Sequence, residues 1–334
     1  MRFKPAFLAL LCLFAPASGA LSAPAWKPEI IAKVSGLVNI WRNPANGRII
    51  VVTSDRLFRL KLVRGRAILS PQKANRLAPP PAGAIPQSRA APGSGRIASA
   101  WLADPTTRYD HGVLGDQIEA AALRLRTRDG KVLTYRLPGD SVFEDLEPRI
   151  VALDDGAAVL VVRSYLARGA ALALYRFARG RIETLAQSEP IGQPNRWLNP
   201  VGAADFDGDG RIEIPAVVTP HLSGKLTLYR REGAVLARIA ERAGYSTHFI
   251  GSTVLAMRAI ADIDGDGVVD IIVPSLDRRR LIAVSFAGGK SRELRSAAHA
   301  RPIVTAIVAA DLDAQGELDF IYGLEGGAVV LIRR

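Results

Sequence analysis

Apolar residues along this chain fall in short runs rather than at helical spacing. β-Branched runs at 216–218 and 271–273 each lead into a turn, and further apolar runs follow at 172–177, 226–229 and 281–286. A later kind of run, at 182–186 and 235–240, comes after Arg179-Gly180-Arg181 and Arg231-Glu232-Gly233, and Ala287-Gly288-Gly289 supplies the same punctuation once more. Short β-branched segments divided by Gly-containing turns are the pattern of antiparallel hairpins. No segment after the N-terminal leader carries a convincing helical period, so the chain is predicted to be all-β.

The N-terminal third follows the same plan more loosely. Runs at 48–53, 57–63 and 67–69 predict one group of strands, and runs at 98–103, 120–126 and 132–137 predict another. Between them, residues 77–95 are rich in Pro, Ala, Ser and Gly and read as a mobile surface loop. The last group runs out after three strands, at 329–332, and residues 29–34 can supply its missing fourth.

Self-similarity organises these groups. Ala204-Asp205-Phe206-Asp207-Gly208-Asp209-Gly210-Arg211-Ile212-Glu213 shares its frame with Ala261-Asp262-Ile263-Asp264-Gly265-Asp266-Gly267-Val268-Val269-Asp270 and with Ala310-Asp311-Leu312-Asp313-Ala314-Gln315-Gly316-Glu317-Leu318-Asp319. A fourth frame, at 151–162, has lost most of its acidic positions. Taking Ala152, Asp205, Asp262 and Asp311 as equivalent, the steps are 53, 57 and 49 residues. Such steps suit a β-propeller blade, whose repeats run from about 40 to about 50 residues or somewhat more. The expectation is one domain over 26–334, a propeller of about six four-stranded blades closed by the N-terminal strand. Seven remain open should 77–118 hide a further set.

Composition adds compartment and charge. The chain has 334 residues, 49% hydrophobic and 23% charged, which excludes collagen-like, disulfide-stapled and wholly disordered classes. Met1-Arg2-Phe3-Lys4, an apolar stretch over 5–15 and Ser18-Gly19-Ala20 read as a secretory signal peptide over 1–20, with cleavage as late as 25. Its apolar run is too short for a membrane span, and no later run reaches that length. The expected product is a periplasmic or secreted monomer. Its single Cys12 lies inside the leader, so disulfides cannot hold the fold. Lys plus Arg number 44 against 32 Asp plus Glu, a formal +12. The basic residues are scattered apart from Arg278-Arg279-Arg280, and together with export this argues against nucleic acid.

The acidic loops carry the clearest chemistry. Carboxylates at loop positions 1, 3, 5 and 9 converge if the chain wraps around a point, and the carbonyl at position 7 can join them. That donor set suits Ca²⁺, which takes about 6–8 oxygens in loose geometry. The first loop offers Asp205, Asp207, Asp209, the Arg211 carbonyl and Glu213. The second offers Asp262, Asp264, Asp266, the Val268 carbonyl and Asp270. The third offers Asp311, Asp313, Gln315 and Asp319, with one charge fewer. An EF-hand requires Glu at position 12 and flanking helices, whereas position 12 is Ala216, Val273 and Tyr322 between strands. The plainer alternative is a set of ion-free Asp-Gly turns.

These loops resemble the FG-GAP or VCBS-type repeats of integrin α-subunit-like β-propellers, over residues 149–334 by motif and elsewhere only by pattern. The resemblance implies Ca²⁺ in the Asp-rich loops, at two sites with a third possible, and recognition through the opposite face. Sorted that way, the recognition face collects Arg163, Tyr165, Asn195, Arg196, Trp197, His221, Tyr245, His248 and Arg278. Aromatic rings beside Arg and Asn suit a carbohydrate or a protein surface. No nucleophile elbow, HExxH zinc pair or phosphate-cradling loop is present in the sequence. The reading is a non-catalytic binding or scaffold module for an acidic glycan or an envelope protein. A polysaccharide lyase or glycosidase on the same scaffold is the alternative.

Overall fold

The computed structural model describes residues 25–43, 46–63, 66–72 and 80–333. The leader at 1–20 lies outside these residues, as does the start of the 77–95 segment. Among the described residues the protein is all-β, with one short 3₁₀ turn at Ala287–Gly289. No helix in them is long and apolar enough to cross a membrane.

After β1 (Pro28–Lys33), the strands pair in sets along the chain. The first set is β2 (Leu37–Arg42), β3 (Ile49–Thr53), β4 (Leu57–Val63) and β5 (Arg66–Gln72). The second is β6 (Ala91–Pro92), β7 (Ile97–Thr106), β8 (Glu119–Thr127) and β9 (Val132–Arg136). A short strand, β10 (Ser141–Phe143), joins β8 to the third set, which is β11 (Arg149–Leu153), β12 (Gly156–Tyr165), β13 (Gly169–Ala178) and β14 (Arg181–Ser188). The fourth is β15 (Leu198–Pro200), β16 (Glu213–Val218), β17 (Lys225–Glu232) and β18 (Val235–Arg242). Parallel pairing of Gln187 and Ser188 with Val235 and Leu236 ties the third set to it, so sets two to four form one curled sheet. The fifth is β19 (Ala259–Ala261), β20 (Asp270–Pro274), β21 (Arg280–Ser285) and β22 (Arg292–Ala298). The sixth has β23 (Val308–Ala310), β24 (Asp319–Gly323) and β25 (Ala328–Ile332), and β1 is its fourth strand, pairing Pro28 with Ile332 and Lys33 with Ala328.

Burial explains the apolar runs. Every residue of β16, β20 and β24 is buried, because these second strands pack on both faces. The fourth strands β18 and β22 each keep a single buried residue among exposed and half-buried ones, as outer strands do. Core side chains lie between neighbouring sets. Phe206, Val217 and Leu228 meet Ile271, Val273 and Val284, while Ile272 and Leu281 meet Phe320 and Tyr322. Ile321 and Leu331 meet Ile40, Val51 and Leu60. The segment after residue 79 is packed where it is described: Ile85, Ser88 and Ala91 are buried, and β6 pairs with β7.

Candidate metal loops and the opposite end

In an antiparallel set, the connection from first to second strand and that from second to third lie at opposite ends of the second strand. The acidic loops are of the first kind and the turns at 219–224 and 275–279 of the second, so the two stand at opposite ends of β16 and β20.

Both complete loops wrap in the same way. Asp205 accepts the amides of Gly208 and Gly210 at 2.7 and 2.8 Å, and Asp262 accepts those of Gly265 and Gly267 at 2.7 and 2.9 Å. The ninth residue closes each loop from inside: Glu213 accepts Phe206 N–H at 2.9 Å, and Asp270 accepts Ile263 N–H at 2.8 Å. This brings together Asp205, Asp207 and Glu213, and likewise Asp262, Asp264 and Asp270, each triad with ligand oxygens within 4.8 Å of one another. Either triad can hold a metal ion. The fifth-position residues Asp209 and Asp266 stay outside these triads, bonded to the amides of Arg211 and Val268. The third loop is looser. Asp311 and Asp313 both accept Gln315 N–H at 3.2 Å, and Asp311, Asp313 and Asp319 are not gathered into such a triad.

The two triads differ inside. Asp270 is fully buried, and its Oδ1 has no hydrogen-bond partner while Oδ2 takes the Ile263 amide. Burial pushes its carboxyl up to about 6, and the negative charges of Asp264 and Asp266 add to the rise. A buried carboxylate oxygen without a hydrogen-bond partner, gathered with other carboxylates, suits a cation. The residues of the 262–270 loop therefore fit a hard divalent ion. At 205–213 the corresponding position is filled from within. Arg230 Nη2 lies 2.7 Å from Asp207, 3.1 Å from Asp209 and 2.8 Å from Glu213. Arg230 was not among the residues singled out from the sequence. The signal that finds it is strand register, since Arg230 on β17 pairs directly with Glu213 on β16.

At the other end, several residues expected on a recognition face are buried. Trp197, Tyr165, Tyr245 and His248 are at most 8% exposed. Trp197 Nε1 donates to the Glu144 carbonyl at 2.9 Å, and its ring packs on His248 and stacks with His221. His248 Nε2 donates to the Ser252 carbonyl at 2.7 Å, which leaves Nδ1 to accept from His221 Nε2 at 2.9 Å. Burial drives both rings below the ordinary histidine range, to about 3 for His248 and about 4 for His221, and the Arg278 charge lowers them further. The pair is neutral at physiological pH. Arg163 is largely covered and reaches Ser141 Oγ, stacking on Tyr165 together with Arg168. Asn195 is exposed, and Arg196, His221 and Arg278 are half-buried. Leu222 and Ile250, 59% and 70% exposed, lie on the loops that carry His221 and His248.

A buried polar network behind Trp197 also escaped the sequence reading. Glu144 is buried, its carboxylate takes Ser164 Oγ and His111 Nδ1, and burial raises its pKa. No loop motif marks it, because its partners come from three separate segments. No known protein family matches the chain, and no curated protein matches it.

Proposed function

We propose that this protein is an exported β-propeller of six blades, of the FG-GAP or VCBS type, that binds calcium structurally and serves as a non-catalytic binding module. The six strand sets and the pairing of β1 with β25 support closure of the ring, which removes exposed sheet edges. The observation that carries the metal reading is the buried Asp270, gathered with Asp262 and Asp264 and keeping Oδ1 without a hydrogen-bond partner. Asp262, Asp264 and Asp270 would hold the ion, which would neutralise a cluster that otherwise repels itself. A site of extracellular grade, with Kd of about 10⁻⁴–10⁻³ M, adds about 1.4–2.7 kcal/mol at about 10 mM calcium.

A thermal melt tests this directly. Calcium should raise the transition by several degrees, magnesium should do so less, and Asp262→Ala should remove the rise. An unchanged transition with every ion would refute the calcium reading.

Recognition is assigned to the end bearing the 219–224 and 275–279 turns. Exposed Leu222 and Ile250, together with the half-buried Arg196 and Arg278, support an anionic or mixed surface as the partner, an acidic glycan or an envelope protein. Arg196→Ala with Arg278→Ala should release the protein from an immobilised acidic polysaccharide while leaving its circular dichroism unchanged. New reducing ends in that polysaccharide would point to an enzyme instead.

A further inference from the structure

The two complete loops look alike in sequence, and their strand partners do not. In the fourth set, β17 places Arg230 opposite Glu213. In the fifth, pairing of Ile271 with Val284 places Ser285 opposite Asp270. We propose that Arg230 is the resident cation of the 205–213 loop, so that this loop folds without metal and only the 262–270 loop takes calcium. The proposal rests on the calcium reading of the 262–270 loop and divides it between the two motifs.

The geometry favours a permanent occupant. Arg230 is 12% exposed, and its guanidinium contacts three carboxylates. Nε and Nη2 both engage Glu213 Oε1, at 2.9 and 2.8 Å. Charge-assisted bonds of this kind are the strong ones, and a guanidinium cannot lose its proton in a protein. Burial works against the Arg230 charge, and the bonds from Glu213 and Asp207 more than offset it. A calcium ion would need the same oxygens, at about 2.3–2.6 Å. It would have to sit against a buried positive group or expel it.

At the 262–270 loop the residue opposite the ninth position is not a guanidinium. Opposite Asp270 stands the Ser285 hydroxyl, which carries no charge to balance the carboxylates. Arg292 does approach Asp264 at 2.8 Å and Asp266 at 3.6 Å, from outside the loop and with its side chain 55% exposed. An exposed pair of this kind holds weakly and can swing away when an ion arrives.

Calcium stoichiometry decides the matter, measured by titration calorimetry on the purified protein after chelation. Wild type should bind one equivalent and Arg230→Ser two. Asp270→Asn should bind none, and Arg230→Ser with Asp270→Asn one. The reciprocal variant Ser285→Arg should bind none and melt at the same temperature with calcium or chelator, which gives a readout even if Arg230→Ser folds poorly. Two equivalents in wild type would overturn the proposal, and so would one equivalent in a folded Arg230→Ser protein. No binding by wild type with one equivalent in Arg230→Ser would refute calcium at 262–270 while upholding Arg230 as the blocking cation.

Discussion

Trp197 shows how one residue can read differently in sequence and in space. Next to Asn195 and Arg196 it looks like a stacking platform for a ligand, yet it is 2% exposed and bonded through Nε1 to the Glu144 carbonyl. Trp197→Ala should therefore destabilise the protein by about 3–5 kcal/mol in urea unfolding, the usual cost of emptying a buried aromatic site. Glu119 gives a second test at this scale. Burial, with Glu144, Asp116 and Asp145 as negative neighbours, pushes its carboxyl up to about 9. The folded protein then keeps a proton that the unfolded chain releases near pH 4.5, so this group's contribution to stability falls as pH rises toward about 9. Glu119→Gln cannot titrate. Its melting temperature should gain on wild type as pH is raised from about 5 to about 8.5, and a constant difference would show that Glu119 is ionised throughout.

Among the elements, the acidic loops test how far local chemistry reaches. The fourth loop position lies in the left-handed region, with φ of +80° at Gly208 and +77° at Gly265. The third loop places Ala314 there at φ +61°, a conformation that costs a side chain about 1–2 kcal/mol. Ala314→Gly should raise stability by up to about 1 kcal/mol in denaturant titration, the relief being partly cancelled by the greater freedom of the unfolded glycine. These loops were legible from sequence because their chemistry is contiguous: aspartates two apart, glycines at the turns, a carboxylate at position 9. The central strands were legible for a related reason. Burial on both faces leaves unbroken apolar runs such as 271–273. What stayed hidden depends on register or on distant segments. Arg230 acts on its loop only because β17 aligns it with Glu213, and Glu144 gathers partners from 111 and 164. The short strands β6 and β10 carry too few residues to show a period. Leu37–Arg42 mixes Asn39 among its apolar residues because that side chain caps the Ala306 amide of the sixth set at 2.9 Å.

For the whole molecule, the pairing of β1 with β25 matters most. Gly327 sits in the turn before β25 at φ +89°, and a Cβ there would stand 2.1 Å from the Val34 carbonyl oxygen. Val34 N–H in turn donates to Gly327 O at 2.8 Å, pinning the strand that completes the sixth set. Gly327→Ala should cost at least about 2 kcal/mol and expose the segment around Val34 to proteolysis, checked by unfolding and by mapping the first cuts. The same junction sets a schedule for synthesis. Residues 28–33 leave the ribosome about 300 residues ahead of their partners at 328–332. At roughly 5–20 residues per second that is a wait of about 15–60 s. Through that interval a strand carrying Ile30 and Ile31 has an open edge and no mate. Its safety then rests with whatever attends the nascent chain, and only afterward with the fold.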